Sequence, residues 1–93
     1  MNVTTQYSIN LLHSVLDEIQ GIELITNPYD TIAVFKSVKS DLLEDLTGCT
    51  MHQKEFNAIF TSVESANIDL IKGLHHIQAI TEIALSYLID NVA

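Results

Sequence analysis

A proline-free segment from Met51 to about Asn91 constrains the fold of this chain more than any other feature. It contains one glycine, Gly73, and its apolar residues recur every three or four positions, which is typical of an amphipathic helix. At about 1.5 Å per residue, an unbroken helix over 51–91 would be about 60 Å long. The apolar stripe of this segment consists of Phe56, Ile59, Val63, Ala66, Leu70, Leu74, Ile77, Ala84 and Leu88.

Two shorter helices are predicted before this segment. The first spans about 5–25, where the apolar residues with helical spacing are Leu12, Val15, Leu16, Ile19 and Ile22. The second spans 28–47, because Pro28 suits the first position of a helix. Its stripe consists of Ile32, Phe35, Val38, Leu42 and Leu46. No useful length of sequence alternates between apolar and polar residues as a strand would.

These patterns predict a single all-α domain over residues 1–93. We expect an antiparallel helical bundle, in which two shorter helices pack on a long C-terminal helix that is either straight or kinked at Gly73. Beyond Gly73 the apolar residues cover about two-thirds of the helix circumference, counted at about 100° per residue, which indicates packing on more than one side. The alternative fold is a monomeric four-helix up-down bundle, in which the long helix breaks at Gly73.

A homodimer would cover the apolar surface that two short helices leave exposed. Each short helix is about 30 Å long and covers only half of a helix of about 60 Å. Two-fold pairing is the commonest closed assembly of identical chains. We therefore predict a dimer interface formed by Leu74, Ile77, Ile80, Ile83, Ala84, Tyr87 and Leu88.

The charge of the chain excludes some partners. Four lysines and twelve carboxylates give a net charge of −8, so the chain lacks the clustered cations that nucleic acids and anionic membranes require. A basic protein is the partner class that this charge favours. Its candidate surface consists of Asp17, Glu18, Asp41, Glu44 and Asp45. A single cysteine, Cys49, and an N-terminus without the basic segment of a signal peptide predict a cytoplasmic protein.

No residue constellation in the sequence indicates catalysis or a cofactor. The serines have no obvious base and orienting acid, and there is no glycine-rich phosphate loop. His75 and His76 point about 100° apart on a helix and do not converge on one metal ion. Two pairs, His13 with Asp17 and His52 with Glu55, have ligand spacing, but each offers two ligands where zinc takes three or four. Whether the four histidines meet across helices is left open, and we predict no metal site.

One short motif resembles a known family. The segment DLIKG, Asp69–Gly73, is similar to the phospho-accepting segment of histidine phosphotransfer domains, which are acidic helical bundles. In that pattern a lysine three residues after the acceptor stabilises the added phosphate. The resemblance covers five residues, and Asp69 occupies the position of the acceptor histidine. It implies at most a docking relative without phosphotransfer activity, and we do not assign the chain to that family.

Taken together, the sequence predicts a small acidic helical protein–protein interaction module, of the adaptor, chaperone or regulatory-subunit type, that acts as a homodimer and is not an enzyme. The alternative function is a helical bundle that binds a metal ion or small ligand through histidines and carboxylates on different helices.

Overall fold

The computed structural model describes residues 3–24, 28–45 and 52–91, and this part of the chain contains four α-helices and no β-strand. The all-α prediction is therefore confirmed. A 3-10 turn, Gly21–Leu24, extends the first helix, and a π-helical turn, Asp41–Asp45, extends the second. The four helices are α1 (Val3–Gln20), α2 (Pro28–Ser40), α3 (Gln53–Glu64) and α4 (Leu70–Asn91).

One hydrophobic core holds the helices together. The most extensive contact between helices is that of α1 with α4, and α3 also packs against α4. The radius of gyration is 13.1 Å, close to the value of about 13 Å expected for a folded chain of this size. The buried apolar residues include Leu12, Val15, Ile19, Phe35, Val38, Leu42, Phe56, Phe60, Leu74, Ile77, Ala84 and Leu88. Most of these belong to the predicted stripes.

Two stripe residues have different positions from those predicted. Ile32 is exposed, and its neighbour Thr31 is buried instead. Ala66 lies in an exposed turn. Leu46, the last residue of the second stripe, lies outside the described residues. Both differences occur near the end of a helix or of a stripe, where the position of a residue depends on local backbone geometry rather than on the period of the helix.

The prediction of one helix over 51–91 is wrong, because residues 65–69 separate α3 from α4. Ala66 has a left-handed backbone conformation with φ of 59°. Its N–H donates to the carbonyl of Val63 at 3.0 Å, and the N–H of Asn67 donates to the carbonyl of Ser62 at 2.9 Å. This hydrogen-bond pair is the Schellman motif, which usually places glycine where Ala66 stands. A helix thus ends without either a glycine or a proline.

The alternative that placed the break at Gly73 is wrong in position as well. Asp69 starts α4: its Oδ2 accepts hydrogen bonds from the N–H of Ile71 at 3.1 Å and of Lys72 at 3.4 Å. This is the bonding of an N-cap residue, which satisfies amides that have no partner inside the helix. Gly73 lies inside α4 and is buried, where a Cβ would overlap Cγ2 of Val63. Its role is to allow α3 and α4 to approach closely.

Polar contacts also connect the second and third helices. The Nε2 of Gln53 donates to the carbonyl of Leu42 at 2.8 Å, which gives a partner to a carbonyl in the π-helical turn. Lys39 forms an ion pair with Glu64. Within the three described ranges, no helix has both the length and the apolarity that crossing a membrane requires.

Candidate interaction surface

The two sides of α4 differ in their environment. Its inner side packs against the rest of the chain, and Leu74, Ile77, Ala84 and Leu88 are buried there. Thr81 is also buried on this side and donates from Oγ1 to the carbonyl of Ile77 at 2.6 Å, so its hydroxyl is satisfied. Four of the seven residues predicted for a dimer interface therefore lie in the core of one chain.

The opposite side of α4 is a continuous solvent-exposed strip, which we call the outer face. Its residues follow one another at intervals of one, three or four and all are exposed: Lys72, His75, His76, Ala79, Ile83, Ser86, Tyr87 and Asp90. Two of them, Ile83 and Tyr87, belong to the predicted dimer interface, and they are 60% and 42% exposed. Ile80, the remaining member, is partly buried against the core. The surface part of the predicted interface is thus centred on Ile83.

Charge is distributed unevenly along the outer face. Lys72, His75 and His76 lie in its N-terminal half and, with Ala79, line a shallow open depression. Asp90 lies at its C-terminal end, and Ile83 occupies the middle. By the helical period, His75 and His76 lie on either side of the line through Lys72. The outer face therefore has a basic end, an apolar middle and an acidic end, and a further exposed carboxylate, Glu82, lies beside the flank formed by His75 and Ser86.

The DLIKG segment forms the start of α4. Because Oδ2 of Asp69 accepts two backbone hydrogen bonds, this carboxylate caps the helix. The glycine of the segment, Gly73, faces Val63 inside the protein. Both residues therefore have structural roles in this chain.

The predicted acidic surface is only partly assembled. Asp17 and Glu44 are exposed, and Glu44 Oε2 accepts a hydrogen bond from Ser40 at 3.1 Å. Glu18 and Asp41 are partly buried and interact with each other, whereas the side chain of Asp45 lies outside the described residues. The structure therefore brings Glu18 close to Asp41 across the contact between α1 and the end of α2.

Glu18 occupies an unfavourable position for a charged group. Its Oε1 accepts a hydrogen bond from Ser37 at 3.4 Å, and its Oε2 is buried without a hydrogen bond to any described residue. Burial and the nearby Asp41 raise the pKa of Glu18, and the Ser37 bond opposes them. A raised pKa means that the folded chain holds this proton more tightly than the unfolded chain does. Stability from this group is therefore greatest at low pH and decreases as pH rises through the pKa of folded Glu18.

Replacing Glu18 with glutamine should stabilise the protein at pH 7 by about 0.5 kcal/mol, because the amide keeps the shape and removes the charge. The gain should disappear below the pKa of an unperturbed glutamate, where both proteins are neutral at this position. Urea denaturation at pH 4 and pH 7 measures the difference. Asp17→Asn, at the exposed neighbouring carboxylate, is the matched control. A loss of stability at pH 7 in Glu18→Gln would contradict this account of Glu18.

The histidine and carboxylate pairs do not form a larger cluster. His52 Nδ1 lies 3.0 Å from Glu55 Oε2, and His13 is exposed, as are His75 and His76. Among the described residues, no group of three or more histidine, cysteine, aspartate or glutamate side chains could hold a metal ion. The alternative of a metal-binding bundle therefore has no assembled site in this part of the chain.

Comparison with protein-family models, with curated proteins and with solved structures found no match to the chain.

Proposed function

We propose that this chain is a small acidic protein–protein interaction module that acts as a homodimer through the outer face of α4. One observation carries the proposal: Ile83, in the middle of α4, is 60% exposed, the largest exposed fraction among the exposed large apolar residues of this helix. Ala79 precedes it by one turn and Tyr87 follows it by one turn, so apolar surface extends along the helix. Isolated exposed apolar residues are ordinary, but a continuous apolar strip is typical of a contact surface.

Electrostatics also favours the outer face for association of identical chains. Two chains that each carry −8 repel each other. α4 contains one lysine and two carboxylates, whereas the rest of the chain contains three lysines and ten carboxylates. Contact through α4 therefore brings together segments that each carry only a small part of the net charge of the chain. Moderate salt should strengthen the dimer, because it screens the repulsion between the remaining charges.

The module as proposed is a binding protein rather than an enzyme, works in the cytoplasm, and also docks on a second, basic protein. Asp17 and Glu44 support the last point, because they are exposed and leave negative charge on the surface away from α4. Capture of a basic partner at these residues would weaken as salt rises. Salt thus has opposite effects on the two contacts, which separates them experimentally.

Replacing Ile83 with glutamate should raise the dissociation constant of the dimer at least ten-fold, since an unpaired charge would enter the apolar middle of the contact. A ten-fold change corresponds to about 1.4 kcal/mol. Sedimentation equilibrium across a range of protein concentrations measures it. Circular dichroism should show unchanged helix content, because Ile83 contributes little to the core.

The matched control for this substitution is Ile89→Glu. Ile89 is on the same helix and is 47% exposed, but at about 100° per residue it points well away from the line through Lys72 and Asp90. We expect the control to dimerise like the unchanged protein. If both substitutions weakened the dimer equally, or if neither substitution weakened it, the outer face would not be the contact.

A further inference from the structure

We infer that the second copy lies antiparallel on the outer face of α4, with Lys72 of each chain opposite Asp90 of the other and Ala79 opposite Ile83. This inference rests on the proposed homodimer and adds the orientation and the register of the two helices. It follows from three properties of the outer face: the spacing of its residues, their directions around the helix and the order of their charges.

The spacing defines a single register. In an antiparallel pair related by a two-fold axis, residues directly opposite each other share one midpoint in the sequence, and neighbouring flank residues have midpoints within about half a residue of it. Lys72 with Asp90 and Ala79 with Ile83 both have position 81 as their midpoint. His76 with Tyr87, and His75 with Ser86, have midpoints half a residue to either side. One register therefore pairs all eight outer-face residues, over about 27 Å of helix.

The directions of the side chains agree with this register. At about 100° per residue, Lys72 and Asp90 point the same way because they are five full turns apart. Ala79 and Ile83 point to within about 20° of that line, on opposite sides of it. His76 and Tyr87 share one flank, and His75 and Ser86 share the other. A two-fold antiparallel pair brings each flank against the same flank of the other copy, which each of these pairs satisfies.

The order of charges selects the antiparallel orientation. With the helices antiparallel, the two Lys72 ammonium groups approach the two Asp90 carboxylates. With the helices parallel and in register, lysine would face lysine and aspartate would face aspartate, and like charges placed opposite each other are destabilising. The antiparallel pair also places the His76 ring beside the phenol of Tyr87 and the His75 ring beside the hydroxyl of Ser86, where hydrogen bonds can form.

The middle of the outer face suits close contact between two helices. Ala79 is small, so the Ile83 side chain of the second copy has room beside it, and this happens twice because of the symmetry. The partly buried Ile80 adjoins the same place. A small residue opposite a large one lets two helices approach and interdigitate. No other pair on the outer face combines a small and a large apolar residue.

Disulfide cross-linking tests the orientation and register directly. In a Cys49→Ser background, two single-cysteine proteins, Lys72→Cys and Asp90→Cys, are mixed at equal concentration, left to exchange subunits and oxidised with copper phenanthroline. We expect the mixed pair to cross-link at least ten times more than either protein does alone, as read by non-reducing electrophoresis and mass spectrometry. Disulfides require Cβ atoms about 3.5–4.5 Å apart, which only opposed positions offer. Lys54→Cys mixed with Asp90→Cys is the control, since Lys54 is exposed on α3.

The results separate this inference from the proposed function. Cross-linking of each single-cysteine protein with itself would show a parallel dimer, so the orientation would be overturned and the homodimer kept. Dimers in sedimentation without any cross-link between positions 72 and 90 would overturn the register. Sedimentation of the unmodified protein as a monomer would overturn both the inference and the homodimer.

Charge exchange gives an independent measurement. Lys72→Glu and Asp90→Lys should each raise the dissociation constant about five-fold, because each converts two attractive contacts into two repulsive ones. The double variant should return to the value of the unchanged protein. Single variants without effect on dimerisation would contradict the Lys72–Asp90 pairing.

Discussion

Replacing Phe60 with alanine should lower the free energy of unfolding by about 3–5 kcal/mol. The Phe60 ring is fully buried in α3 and makes an edge-to-face contact with the Phe35 ring of α2, with centroids 5.4 Å apart and an interplanar angle of 69°. The substitution removes a large apolar side chain, leaves a cavity between two helices and abolishes this aromatic pair. Urea denaturation at a fixed protein concentration measures the loss, because dimerisation makes the apparent stability depend on concentration.

The neighbouring residue provides a control for Phe60→Ala. Thr61 is on the same helix and its side chain is exposed, so Thr61→Ala should change stability by about 0.5 kcal/mol or less. A double-mutant cycle with Phe35→Ala should give a coupling of about 0.5–1.5 kcal/mol for the aromatic pair. A loss below about 1 kcal/mol in Phe60→Ala would mean that α3 does not pack on α2 as described.

Replacing Gly73 with alanine should lower the free energy of unfolding by about 1–3 kcal/mol, as overpacking of a core does. Alanine in a helix is ordinarily favoured over glycine by about 1 kcal/mol, so the expected result has the opposite sign to that of helix propensity. The reason is the overlap of the new Cβ with Cγ2 of Val63, at the place where α3 and α4 approach closely. A β-branched side chain has few rotamers into which it could move away.

Two further proteins make this prediction specific. Val63→Ala combined with Gly73→Ala should be more stable than the sum of the two single changes predicts, because removing the valine methyl groups makes room for the new Cβ. Gly21→Ala should be neutral or stabilising, since nothing lies within 4 Å of a Cβ at that position. If Gly73→Ala were as stable as the unchanged protein, the close approach of α3 and α4 at this glycine would be wrong.

Helical class and core could be predicted from the sequence because apolar spacing records which side of a helix is buried. Pro28 marked the start of α2 correctly. Residues such as Leu12, Val38, Phe56 and Leu74 are fully buried as their stripes predicted. In each case the signal lies within a few helical turns and does not depend on what the helix packs against.

The break between α3 and α4 could not be predicted in the same way. Glycine and proline are the usual signals for the end of a helix, and Gly73 is the sole example between Met51 and Asn91. The helix ends instead at Glu64 and is followed by Ala66, whose left-handed backbone is disfavoured by about 1–2 kcal/mol for a residue with a Cβ. Asp69 is a usable signal for the start of the next helix, because aspartate is a favoured N-cap residue.

The candidate site depended on tertiary structure for a similar reason. Periodicity showed that the C-terminal helix is apolar on more than one side, but it could not show that the chain's own core covers Leu74, Ile77, Ala84 and Leu88 and leaves Ile83 exposed. The contact of Glu18 with Asp41 joins residues on two helices, and no spacing within one helix could indicate it. The Lys39–Glu64 ion pair was not predicted for the same reason.

The molar masses of the unmodified protein and of Ile83→Glu in solution test directly whether the chain associates through the outer face of α4. Light scattering coupled to size-exclusion chromatography should give about twice the chain mass of 10.3 kDa at micromolar concentration. The Ile83→Glu protein should give the mass of one chain under the same conditions. The homodimer would be contradicted if the unmodified protein had the mass of one chain at every concentration up to about 100 μM. A protein concentration of about 100 μM is ordinarily above the dissociation constant of a functional contact.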